Sequence, residues 1–111
     1  LPGNERNPLV LRDLAIVHKY LAGAPTNGAN RLNHASEALR FDRLRVDVDP
    51  VDATARIDLG YSLVAYADAL AWKQDLAQAF DYYRQGYELR KSLALADPQN
   101  QFPRRSLMYP N

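Results

Sequence analysis

The chain has 111 residues, 47% of them hydrophobic and 24% charged, the make-up of one folded domain or part of one rather than of a disordered segment. Fourteen basic against thirteen acidic side chains leave a net charge of +1, which removes the strong general field that binding to nucleic acid or anionic lipid would use. Cysteine is absent, excluding disulfides, thiolate zinc sites and thiol nucleophiles, and no apolar run approaches the roughly 18–20 residues of a membrane span.

The opening LPGNERNP mixes acidic and basic residues and lacks the apolar core of a signal peptide. It reads as the cut edge of a longer protein. The missing cysteine favours a reducing compartment such as the cytoplasm, with a fragment of a membrane-anchored protein as the alternative.

A first helix is predicted from near Pro8, with Leu14, Val17, Leu21 and His18 facing inward. Pro25 and Gly28, within APTNGAN, end it and make a turn. A second helix carries Leu32, Ala35, Leu39 and Phe41 towards Val46 and ends at Asp49-Pro50, because proline disfavours helix in the residue before it. Asp52 is the natural N-cap of a third helix, whose Leu59, Leu63, Tyr66 and Leu70 step along one face. After Lys73-Gln74, Asp75 caps a fourth. There Leu76, Ala79, Phe80, Tyr83 and Tyr87 form the apolar stripe, and Asp81, Arg84, Glu88 and Lys91 lie along another face. Asp97-Pro98 closes this helix, and a short fifth segment is expected from Phe102 to Tyr109, cut short by Pro110.

The text repeats. RDLAIVHKYLAG, beginning at Arg12, returns as IDLGYSLVAYAD from Ile57, so that Asp13-Leu14 aligns with Asp58-Leu59 at an offset of 45 residues. The two Asp-Pro dipeptides are 48 residues apart, and Arg105-Ser106-Leu107 follows Ile57-Asp58-Leu59 at that same 48. A helical hairpin recurring at this period signals a solenoid, in which each unit buries its apolar face only against its neighbours. The copies run over about residues 8–50 and 51–98, with a partial third copy or cap at 99–111.

DLGYSLVAYADALAWKQDLAQAFDYYRQGYELRKSLALADP, Asp58 to Pro98, resembles a tetratricopeptide-type repeat, in particular the long-helix variety that follows the catalytic domain of bacterial eukaryotic-like serine/threonine protein kinases. Arg12-Asp13-Leu14-Ala15 reproduces that family's start. Ala67, Ala79 and Gly86 stand at its small-residue positions, where helices cross closely, and Tyr83 at its aromatic one. Gln74 departs from the pattern, which has glycine in the turn, and the first copy departs from it at Arg31, His34 and APTNGAN. The resemblance implies an all-α, right-handed superhelix of two antiparallel hairpins plus the short C-terminal segment. It also implies a concave face for a protein or peptide partner, lined by Ile16 and Lys19 in the first copy and by Tyr61, Val64, Asp68 and Trp72 in the second.

Chemistry is sparse. The chain has no Gly-rich phosphate loop, no paired lysine with a catalytic-loop aspartate and no Walker-type loop, so no catalytic, cofactor or metal residue is assigned. His18 and His34 lack metal-ligand spacing and read as packed and surface histidines. Asp47, Asp49 and Asp52 lack the glycine and glutamate of a calcium loop and read as capping groups. Arg40, Arg43 and Arg45 alternate with Asp42 and Asp47, which neutralises them as a phosphate surface.

The expectation is therefore a non-catalytic interaction or scaffold module, a regulatory fragment of a bacterial signalling protein such as a serine/threonine kinase. No contact with nucleic acid or membrane is expected. Two repeats fall below the ~3 that usually make a stable array, so a homodimer through an end face of the stack is expected as well. The alternative is a small-ligand-binding or catalytic bundle that gathers His18, His34 and nearby aspartates into one pocket.

Overall fold

The computed structural model describes residues 7–24 and 30–96, and within them the chain is all-helical, with no strand. The expected segment at Phe102–Tyr109, the second Asp-Pro dipeptide and most of the APTNGAN turn lie outside the described residues.

Four helices follow one another: α1 (Pro8–Gly23), α2 (Arg31–Val48), α3 (Ala53–Trp72) and α4 (Leu76–Ala96). Their starts follow local chemistry. The Asn7 side chain accepts from the backbone N–H of Leu9 at 3.0 Å, and Pro8 occupies the first turn, where its missing N–H costs nothing. Asp52 caps α3 as its sequence suggested, accepting from Thr54 at 3.0 Å and Ala55 at 3.2 Å. Asp75 accepts from the backbone N–H of Gln78 at 3.3 Å and from its side chain at 2.7 Å.

The α3–α4 turn is a Schellman motif. Asp75 N–H bonds to the carbonyl of Leu70 and Gln74 N–H to that of Ala71, both at 2.9 Å. Such a turn needs a left-handed residue after the helix, and Gln74 takes that place with φ 69°. The glycine missing from the sequence pattern is missing where the backbone would favour it most.

Neighbouring helices run antiparallel. At the α3–α4 contact Asp68 meets Tyr83, and further from the turn Tyr61 meets Arg90. At the α2–α3 contact Arg31 lies over Trp72, Asp42 meets Ser62, and Arg45 pairs with Asp58. His18 and His34 meet near the α1–α2 connection. The slab measures 40 × 37 × 20 Å, with α1 also touching α3.

Of the fifteen buried apolar side chains among the described residues, nine are alanine, so the helices approach closely but each contact removes little apolar area. The tightest crossing is between α3 and α4. A Cβ at Gly86 would lie 3.1 Å from Val64 Cγ2 and 3.3 Å from the Gly60 carbonyl oxygen.

Of the residues expected inside, α2 buries Ala35 and Leu39 and half-buries Leu32 and Phe41, and α3 buries Leu63 and Leu70 and half-buries Leu59 and Tyr66. The outer helices are turned. Helix α1 buries Leu11, Ala15 and Ala22 and leaves Val17 exposed. Helix α4 buries Ala79, Gly86, Arg90 and Leu93 and leaves Leu76, Phe80, Tyr83 and Tyr87 outside. The small Ala15, Ala22, Ala79 and Gly86 thus share the contact with Leu11 and Leu93, while Val17, Phe80 and Tyr87 lie outside it.

Candidate functional site

Of the six expected partner-facing residues, Lys19 and Asp68 line one open hollow of about 180 Å³ between α1, the start of α2 and α3. Ala22, Gly23, Arg31 and Ala65 complete its wall. Trp72 adjoins it through Arg31, whose guanidinium carbon lies 5.3 Å from the indole centroid, and keeps 52% of its surface exposed. The Arg31 Nε is buried and makes no hydrogen bond. Ile16 is exposed on α1.

The other two point elsewhere. Val64 is buried, its Cγ2 filling the space left by Gly86, and it presents no groove surface. Tyr61 is half-buried with Arg90 over its ring at 5.6 Å. Burial also holds the Arg90 guanidinium below its ordinary value, with Tyr61 opposing that shift.

Lys19 also belongs to a polar cluster that hydrophobic patterning missed. Asp42 is fully buried. Its Oδ2 accepts from Lys19 Nζ at 2.9 Å and from the Ser62 hydroxyl, while its Oδ1 has no partner. Lys19 also donates to the Asp58 carbonyl at 3.3 Å, and the Asp58 carboxylate holds Arg45. Five side chains from three helices thus share one network, whose members are costly to separate at low dielectric. Its signal was available. Asp42 and Arg45 continue the helical step of Ala35, Ala38 and Leu39, so these charges fall on the buried stripe. Ser62, donating to Asp42 and fully buried, is not placed as a nucleophile.

His18 and His34 do converge, Nδ1 to Nδ1 at 3.0 Å, with Phe41 stacked on His18 at a centroid distance of 5.8 Å. A hydrogen bond between two Nδ1 atoms requires one donor and one acceptor, so the pair cannot both be cationic and keep it. Burial lowers the His18 pKa and the His34 charge lowers it further; Glu37 opposes and Arg40 adds to the fall. Glu37 is itself held below its ordinary value by its bond from Arg40 at 2.8 Å. The aspartates do not join the histidines: Asp42 and Asp58 belong to the cluster above. Among the described residues no group of three or more His, Cys, Asp or Glu could hold a metal ion.

A second hollow of about 270 Å³ has Arg40, Arg43 and Asp47 on its α2 wall. Tyr66 and Tyr82 form its floor as an edge-to-face pair at 4.7 Å. The three arginines weighed as phosphate contacts are therefore divided, because Arg45 is buried against Asp58 while the other two reach this surface. No helix among the described residues is long and apolar enough to cross a membrane.

Comparison of the chain with protein-family models, with curated proteins and with solved structures gave no match in any of the three.

Proposed function

We propose that this chain is a non-catalytic protein–protein interaction module, a tetratricopeptide-like stack of helical hairpins that presents its α1/α3 side to a protein or peptide. Its setting is a regulatory region of a larger bacterial signalling protein such as a serine/threonine kinase. The observation that carries the reading is Trp72, half exposed and held by Arg31 at the edge of a hollow that also holds Lys19 and Asp68. A large aromatic fixed beside opposite charges has the make-up of a binding hot spot. Because helices hold these groups in place, little ordering entropy is lost when a partner docks.

Selection of peptides from a random displayed library against the full chain tests this. Peptides are expected whose binding is lost in Trp72→Ala and weakened in Asp68→Ala, with helicity kept. Selection of none, or of binders indifferent to both substitutions, refutes it.

A second reading has one observation behind it, the contact between His18 and His34. A small-ligand or catalytic bundle built on this pair predicts that replacing both histidines abolishes a metal or ligand signal while the fold is retained. The peptide selection distinguishes the two, since the histidine pair is not among the residues lining the Lys19–Asp68 hollow.

A further inference from the structure

We propose that the hollow between α2, α3 and α4 binds a small zwitterion with an aromatic side chain, the chemistry of a free aromatic α-amino acid. This hollow shares no lining residue with the one that holds Lys19 and Asp68, so the inference stands apart from the interaction reading above.

The floor is the edge-to-face pair of Tyr66 and Tyr82, beside the buried Leu39 and half-buried Leu44 of α2. Such a surface takes a flat ring through the same offset and edge contacts that hold the pair itself.

Arg43 and Asp47 supply the charges. Both line the hollow, both are exposed, and neither has an ion pair or hydrogen bond among the described residues. They stand one helical turn apart, where opposite charges commonly meet. Here the cation comes first in the sequence, which is the less favourable order for such a pair. The opposite order does close elsewhere on the surface, as Glu37 with Arg40 and Asp81 with Arg84. Arg40, the other cation at the wall, is thereby committed: it donates to Glu37 at 2.8 Å, and its guanidinium carbon lies 4.4 Å from the Phe41 ring centroid. The hollow therefore offers one uncommitted cation and one uncommitted anion side by side. A bare anion would be opposed by Asp47 and a bare cation by Arg43, whereas a ligand carrying both charges satisfies both.

Size narrows the class. The volume of about 270 Å³ lies just under the roughly 300 Å³ at which sites for drug-sized molecules begin, which suits a single amino acid rather than a nucleotide or a peptide.

Amide chemical shifts of the full chain, titrated with L-phenylalanine into the tens of millimolar, test the proposal. The amides around Arg43, Asp47, Tyr66 and Tyr82 are expected to move together and saturate, while those around Lys19 and Trp72 stay still. Phenylpropionate lacks the ammonium, phenethylamine the carboxylate, and glycine the ring. Each is expected to bind more weakly by about threefold or more, the scale of one partly exposed charge or ring contact. Arg43→Gln is expected to weaken L-phenylalanine and phenylpropionate to a similar degree and to spare phenethylamine, and Asp47→Asn to weaken L-phenylalanine and phenethylamine and spare phenylpropionate. Both positions are exposed, so helicity by circular dichroism is expected to be unchanged in each variant.

The absence of a saturating shift at these amides overturns the proposal, as does glycine binding as tightly as L-phenylalanine. Equal binding of phenylpropionate or phenethylamine overturns it in favour of a singly charged aromatic ligand. Shifts indifferent to both substitutions reduce it to non-specific contact with the tyrosines and overturn it as well. Peptide binding through Trp72 is read at the other hollow, so the failure of either reading leaves the other standing.

Discussion

Replacing glycine by alanine at three positions separates helix propensity from packing. At Gly23, on the exposed end of α1, a new Cβ meets nothing within 4 Å. Alanine is favoured over glycine inside a helix by roughly 0.8–1.0 kcal/mol, so Gly23→Ala should gain a few tenths of that scale up to about 1 kcal/mol. At Gly86 the same methyl would sit 3.1 Å from Val64 Cγ2 and 3.3 Å from the Gly60 carbonyl oxygen. Val64 is buried, and the carbonyl belongs to the backbone of α3, so neither can step aside without moving a helix. Overpacking of this kind costs about 1–3 kcal/mol, which outweighs the propensity gain and leaves Gly86→Ala destabilised by up to about 2 kcal/mol. Gly60→Ala should fall between them, because its nearest contact is Arg90 Cγ at 3.3 Å, a side chain that can shift at some cost. Thermal unfolding followed by far-UV circular dichroism ranks the three. One kcal/mol corresponds to roughly 4 °C in a chain of this size, so Gly23→Ala should melt above Gly86→Ala by up to about 12 °C. Equal midpoints for those two would show that α3 and α4 do not cross at Gly60 and Gly86.

Four further outcomes are expected. Lys19→Met leaves the buried Asp42 carboxylate with Ser62 alone and should cost about 3 kcal/mol in urea unfolding, most of it recovered in Lys19→Met/Asp42→Leu. Gln74→Gly should stabilise by about 1 kcal/mol in the same assay, since φ 69° strains any residue with a Cβ; no change would mean that the turn is not left-handed. The His18 pKa is lowered by burial and by His34, so the folded state favours the neutral ring. Its contribution is complete above the ordinary 6.5 and falls as pH drops below that value, a decline in urea midpoint that His18→Leu should reduce. Burial and the bond to Asp68 push the Tyr83 phenol up to about 12, so stability should fall as pH rises from 10 to that value, and Tyr83→Phe should remove one late-ionising phenol from the ultraviolet titration.

Much of the architecture was written in punctuation. Asp52 and Asp75 each stand just before a helix, Asp49-Pro50 closes α2, and the steps of Leu59, Leu63, Tyr66 and Leu70 gave the face of α3. What patterning alone misplaced was charge and size. Asp42 and Arg45 looked like surface groups because charged residues usually are, yet their spacing from Ala35 and Leu39 placed them on the buried stripe. Val64 was expected on a binding face, but its position opposite a glycine one helix away turns it into core, a relation that spacing along one helix cannot reveal. The meeting of His18 with His34 depends on the α1–α2 crossing, and each residue taken alone reads as ordinary. Trp72 stands at the last turn of α3, a place that follows directly from the helix boundary.

The rotation of the outer helices links the core to the surface. Helices α2 and α3 have a neighbour on two sides, and the polar groups on their buried faces are paired with one another as Asp42–Ser62 and Arg45–Asp58. Helices α1 and α4 lie at the two ends of the run of antiparallel contacts. Against the inner pair they bury Leu11 and Leu93 along with the small Ala15, Ala79 and Gly86, and they leave Val17, Phe80 and Tyr87 exposed.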